Sequence, residues 1–108
     1  MIVAETPLSG VLLLEPKIHR DDRGFLIERY SEARYEEAGV RDHFVQDNHA
    51  RSVRGSLRGL HFQVIRPHAK LVEVSRGEIF DVTVDIRVGS STFGQWHGVI
   101  LGEETFRQ

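Results

Sequence analysis

From Glu78 to Val88 the chain alternates. Phe80, Val82, Val84, Ile86 and Val88 fall on one side, and Ile79, Asp81, Thr83, Asp85 and Arg87 on the other. A period of two belongs to an extended strand, whose successive side chains point to opposite faces. This is the strongest periodic signal in the sequence, and it commits the chain to a sheet with one apolar and one mostly polar face. Leu71, Val72 and Val74 form a second strand candidate, and Arg76-Gly77 between the two suits a tight hairpin turn. Val11–Leu14 and His97–Leu101 are further short strands, and Phe25–Tyr30 and Leu57–Gln63 are expected to be extended. One helix fits, from about Ser31 to Ala38, with Ser31 to cap its start and Gly39 to end it. It is too short to stand alone and must lean on a sheet. Many short strands with glycine-containing turns predict an all-β sandwich or barrel with one short helix.

The chain has 108 residues, enough for one small domain. A domain of this size buries about two-thirds of the surface its unfolded chain exposes, so its core is modest. A net charge of −2 gives no basic footprint for nucleic acid. With no cysteine there is no disulfide, no thiolate nucleophile and no cysteine-based metal site. No run approaches the roughly 18 apolar residues of a membrane span. The start, MIVAETPLSG, lacks the basic-then-apolar pattern of a signal peptide, so a cytoplasmic location is expected.

The densest polar stretch is Phe44–Gln63, which holds Gln46, Asp47, Asn48, Arg51, Arg54, Arg58, His61 and Gln63. Alternation puts Leu57, Gly59, His61 and Gln63 on one face and Arg58, Leu60 and Phe62 on the other. If Leu60 and Phe62 face the core, His61 points away from it; if the interior is a polar pocket, His61 lines that pocket. Taken alone, a strand histidine is more often structural or exposed than catalytic. The six histidines include no His-x-His pair and no His-x-x-x-His on a plausible helix, and a firm metal site needs three or four ligands. No serine sits in a nucleophile elbow. Arg-Gly-Ser-Leu-Arg-Gly has too few glycines for a phosphate loop, so any phosphate here is held by arginine. Arginine outnumbers lysine heavily, the only lysines being Lys17 and Lys70, although a compositional bias explains that equally well. Proton transfer by histidine is the chemistry left. An imidazole with a pKa near about 6.5 serves as a base near neutral pH. Beside a ketone it would create an enolate, which a fixed cation such as Lys70 would stabilise. A solvated lysine at a strand end is the plainer reading of Lys70 by itself.

Taken in order, the motifs resemble one family. They are Asp-Asp-Arg-Gly-Phe-Leu-Ile-Glu at 21–28, Phe-Val-Gln-Asp-Asn at 44–48 and Leu-Arg-Gly-Leu-His-Phe-Gln at 57–63. Ala-Lys-Leu-Val follows at 69–72, then Gly-Glu-Ile-Phe-Asp-Val-Thr-Val-Asp-Ile-Arg at 77–87 and Gly-Ser-Ser-Thr-Phe-Gly-Gln-Trp at 89–96. Each is weak alone; the ordered set, from about Leu8 to Gln108, resembles the dTDP-4-dehydrorhamnose 3,5-epimerases. The resemblance implies a single cupin-like domain over 1–108, a jelly roll or double-stranded β-helix. It implies a homodimer, no metal and no organic cofactor. It implies epimerisation at C3 and C5 of dTDP-4-keto-6-deoxyglucose in L-rhamnose biosynthesis, with a dTDP-sugar as partner and neither nucleic acid nor membrane.

By matching position, His61 is the family's base and Lys70 stabilises the enolate at O4. Arg58 binds the diphosphate, and Gln46, Asp47 and Asn48 contact the nucleotide. Arg23 and Glu28 contribute to binding, in this family often from the neighbouring subunit. Asp81 and Asp85 are expected to shape the sheet or orient polar neighbours. Two departures stand out. The stretch Phe62–Ala69 is about one residue shorter than in many members. The family also continues past the equivalent of Gln108, with a Gly-Phe-x-His-Gly-Phe motif, an acid tyrosine and an aspartate that orients the base. Neither Tyr30 nor Tyr35 matches that tyrosine, so the domain is expected to be incomplete at its C-terminus and the 108 residues to have little activity alone. A single-carbon epimerase of another deoxysugar pathway and a non-catalytic nucleotide-sugar-binding cupin are the alternatives.

Overall fold

The computed structural model describes residues 1–108. Its sheets are three antiparallel hairpins in chain order. Strand β1 (Ile2–Glu5) pairs with β2 (Leu12–Glu15), β3 (Ile18–Asp21) with β4 (Gly24–Ile27), and β5 (Glu78–Val84) with β6 (Trp96–Gly102). One helix, α1 (Glu32–Glu37), follows β4. The regular elements are therefore strands with one short helix, as the turn spacing predicts.

Helix α1 ends in a Schellman arrangement. The Val40 N–H donates to the Tyr35 carbonyl at 2.8 Å and the Gly39 N–H to that of Glu36 at 3.0 Å. This requires a left-handed residue after the helix, which Gly39 supplies at φ 95°. Ser31 occupies the capping position but makes no side-chain cap. What fixes the helix is Tyr35, which is buried. Tyr30 packs edge-on to Tyr35 with ring centroids 5.1 Å apart, and Phe44 edge-on to Tyr30 at 5.6 Å.

Strand β5 stops earlier than its pattern. The alternation runs to Val88, yet the last strand residue is Val84, paired with Trp96. Asp85 still bonds across, its N–H to the Gln95 carbonyl at 2.9 Å and its carbonyl from the Gly94 N–H at 2.7 Å. Its carboxylate accepts the backbone N–H of Arg87 at 3.0 Å, a local bond that turns the chain away after this last rung. Ile86 and Val88 are exposed in consequence. On the facing strand, a Cβ at Gly98 would collide with the Phe80 ring, so only glycine lets that ring lie across β6.

Two expected strands are not paired. Leu57–Gln63 and Leu71–Val74 join no sheet, and Gly59 within the first has φ 104°, outside the extended region. From Arg41 to Arg76 the one backbone–backbone hydrogen bond is a local turn, Ser56 N–H to the Val53 carbonyl at 3.2 Å. Arg76-Gly77 accordingly does not join two paired strands; the chain turns at Gly77 into β5. A strand exists only when a neighbour accepts its N–H and C=O groups, and periodicity does not supply the neighbour.

The core is small. Leu8, Leu14, Tyr35, Val74 and Leu101 are its buried apolar members. Gln108 closes on the free edge of β2. It exchanges two backbone bonds with Leu14, at 2.9 and 3.0 Å, so Leu14 has Val3 on one side and Gln108 on the other.

Candidate active site

The expected site residues fall into two groups. Arg23 and Glu28 belong to the β3–β4 hairpin and its exit. Arg23 sits at the tip and forks onto Asp21, with Nη2 2.6 Å and the backbone N–H 2.9 Å from the carboxylate. The Arg23 side chain holds the Asp21 carboxyl below its ordinary range. Glu28 lies just past β4 and accepts both bonds of a close pair with Arg34 Nη1, each 2.6 Å.

The second group lies on the unpaired stretch between α1 and β5. Gln46 Nε2 donates to Asn48 Oδ1 at 3.2 Å, with Asp47 exposed between them. Arg58 Nε donates to Ser52 Oγ at 2.9 Å. His61 and Lys70 stand exposed, and the ion pairs of the chain involve neither. The turn between them passes through Arg66 at φ 58°, a left-handed value for a residue with a side chain. No hydrogen bond or ion pair joins Arg23 or Glu28 to this second group. No three metal-ligating side chains meet at one point.

Two clefts lie on the hairpin side. One, of about 760 Å³, is bounded by Lys17, His19, Glu28, Arg34 and Tyr35. The other, of about 380 Å³, runs along His19, Arg20, Asp21 and Arg23. Neither contains His61 or Lys70. The first cleft also gathers an ammonium, an imidazole and a guanidinium, from Lys17, His19 and Arg34, so residue type alone does not separate it from the stretch that carries Arg58, His61 and Lys70.

Two clusters were not foreseen in this form. Asp85, with a side chain only 1% exposed, accepts from Arg87 Nε and Nη2 at 2.9 and 2.8 Å and from Ser90 and Thr92 hydroxyls, each at 2.6 Å. Arg87, then the two hydroxyls, hold its carboxyl well below the usual carboxylate range. The role expected of Asp85, orienting polar neighbours, matches this geometry. Asp-x-Arg followed by Ser and Thr is a readable signal for it, since short polar side chains bond nearby backbone. The second cluster joins Arg29, Tyr35, Glu73 and Gln108. Its members are too far apart in sequence for any local pattern to show them.

The model of the dTDP-4-dehydrorhamnose 3,5-epimerase family matches residues 5–108. A curated relative of that name from Pseudomonas aeruginosa is 54% identical over 102 residues, covering 94% of this chain and 56% of the relative. The crystal structure of a dTDP-6-deoxy-D-glucose-3,5-epimerase from Legionella pneumophila, in complex with dTDP-4-keto-L-rhamnose, superposes with a TM-score of 0.94 at 53% identity. It is covered over 57% of its length by 99% of this chain. That of the Bacillus anthracis dTDP-4-dehydrorhamnose 3,5-epimerase, with TDP and PPi bound, gives 0.94 at 44%, covering 99% of this chain and 62% of that one. The chain thus spans somewhat over half the length of the relatives it matches. Its architecture is the cupin-like jelly roll of these neighbours. With the ordered motifs, the fold and the matched residues agreeing, the chain belongs to the dTDP-4-dehydrorhamnose 3,5-epimerase family.

Proposed function

We propose that this chain carries the proton-abstracting part of an epimerase acting at C3 and C5 of dTDP-4-keto-6-deoxyglucose, on the route to L-rhamnose. The observation that carries the reading is the family match over residues 5–108, which includes the run Leu57–Gln63 around His61. Relatives crystallised with TDP and with dTDP-4-keto-L-rhamnose support a dTDP-sugar as the ligand class.

Both carbons flank the C4 ketone, so removing either proton gives an enolate. The His61 imidazole takes the proton, and the Lys70 ammonium faces the developing charge on O4. Arg58 holds the diphosphate by its planar fork. Gln46, Asp47 and Asn48 meet the nucleotide, and Arg23 and Glu28 complete binding from a second copy in a homodimer. Arg23 and Glu28 must then leave Asp21 and Arg34 or share them with substrate. Reprotonation on the opposite face needs an acid. Tyr35 does not serve, since its hydroxyl is buried and engaged by Arg29 and Gln108. Residues 1–108 form part of one jelly-roll domain on this reading, in a cytoplasmic protein; no helix is long and apolar enough to cross a membrane.

The test is deuterium incorporation from solvent at C3 and C5 of dTDP-4-keto-6-deoxyglucose, measured on the protein as its gene encodes it. His61→Asn is expected to slow incorporation about 10²- to 10⁴-fold. Unchanged incorporation in that variant would remove His61 from the reaction. Labelling at one carbon alone would make the protein a single-site epimerase.

A further inference from the structure

The run Ala69–Val74 carries Lys70, yet it makes no backbone hydrogen bond to any other segment. Side chains hold it instead. Val74 is buried and Leu71 and Val72 are half-buried. The polar anchor is Glu73. Its Oε2 accepts Arg29 Nε at 2.7 Å, Arg29 Nη2 at 2.6 Å and Gln108 Nε2 at 2.8 Å.

Both partners of Glu73 are themselves fixed. Arg29 Nη1 donates to the Phe106 carbonyl at 2.7 Å. The Arg29 carbonyl accepts from Gln108 Nε2 at 2.9 Å, and the Tyr35 hydroxyl lies 2.6 Å from it. The backbone of Gln108 is paired with Leu14 in β2. Glu73 therefore ties an otherwise unpaired run to β2, to α1 and to the exit of β4. Lys70, three residues before Glu73, is exposed.

We infer that Glu73 is a positioning residue for Lys70: its bonds to Arg29 and Gln108 set where the Lys70 ammonium stands against the enolate oxygen. The inference rests on the proposed reaction. A cation stabilises a developing charge only from a fixed place, and a misplacement of about 1 Å costs up to about 100-fold in rate. Lys70 has no ion pair of its own to fix it. The neighbouring anchor does so through the backbone. Lys70 touches the reacting atoms in this scheme; Glu73 does not.

The test uses the protein as its gene encodes it and reads deuterium incorporation into dTDP-4-keto-6-deoxyglucose. Glu73→Ala is expected to lower kcat about 10- to 100-fold with KM little changed. Glu73→Gln, which keeps an acceptor for both donors, recovers part of the loss. In a Lys70→Ala background, Glu73→Ala is expected to lower kcat no further, because there is no ammonium left to place. A merely structural Glu73 would lower it again by the same factor, and that result, or an unchanged kcat in Glu73→Ala, overturns the inference. Trypsin cleavage after Lys70 gives a reading independent of substrate. It is expected to quicken in Glu73→Ala, and an unchanged rate removes the anchor. Faster cleavage in a protein whose unsubstituted form incorporates no deuterium would leave the anchor standing and overturn the reaction, and with it the role given to Lys70.

Discussion

Replacing Tyr35 by phenylalanine takes one oxygen from the interior and leaves the ring. The hydroxyl has a single proton and two acceptors, the Arg29 carbonyl at 2.6 Å and Gln108 Oε1 at 2.5 Å. Without it, the Arg29 carbonyl still receives Gln108 Nε2 at 2.9 Å. Gln108 Oε1 loses the one partner it has, in a residue that is only 6% exposed. Rotating the amide would turn that oxygen toward the Glu73 carboxylate and the Arg29 carbonyl, exchanging one orphan for two repulsions. The loss is therefore one buried acceptor without a donor, about 1–3 kcal/mol. For a domain near this size that lowers Tm by about 4–12 °C. Urea unfolding at pH 7 reads it as a lower midpoint with the slope m unchanged.

Two further readings isolate the bond. In a cycle with Gln108→Met, the double variant should cost less than the sum of the singles. Burial, opposed by the Gln108 bond, raises the Tyr35 pKa above its ordinary value of 10.0. A raised folded pKa gives stability that is complete below the unfolded value and is lost as pH rises through the folded one. The alkaline limb above about pH 10 should thus be shallower in Tyr35→Phe than in the parent. A loss under about 0.5 kcal/mol, with additive effects in the cycle, would refute the account of a committed hydroxyl.

Acid stability follows from Asp85. Its depressed folded pKa, set first by Arg87 and then by Ser90 and Thr92, gives stability that is full above the ordinary carboxylate value and fades as pH falls below it. Asp85→Asn should lower Tm at pH 7, and the gap to the parent should close below about pH 4; a gap independent of pH speaks against the ionised form as the source. Leu101→Ala removes a side chain left only 2% exposed in a core of few residues. It should cost about 2–5 kcal/mol in urea unfolding, and a cost under about 1 kcal/mol would mean that the site collapses around the gap.

The candidate site was legible as an ordered list and illegible as a place. His61, Lys70 and Arg58 stand out through their motifs, but no motif says which other groups they meet. Arg29, Glu73 and Gln108 carried no signal. Nothing local marks residues 29, 73 and 108 as partners, since a contact across tens of residues is made by the packing of β2, β4 and α1. Asp85 lies between these cases. Its short side chain bonds residues two, five and seven positions on, near enough for sequence to hint at a turn.

Period two by itself determined β5, and the glycine after α1 determined where that helix ends, because both are set by neighbours in the chain. The same local rule overran β5 to Val88, whereas the strand ends at Val84 and the Asp85 carboxylate turns the chain by its bond to the Arg87 N–H. It also read Leu57–Gln63 and Leu71–Val74 as strands. Only tertiary structure decided that they pair with nothing within residues 1–108. Extension is a property of one segment's side chains; pairing needs a second segment at about 4.8 Å, and its identity is written in the fold. The placement of Lys70 is of the second kind. Sequence names the ammonium, and a carboxylate three residues away, gripped by Arg29 and Gln108, decides where it stands.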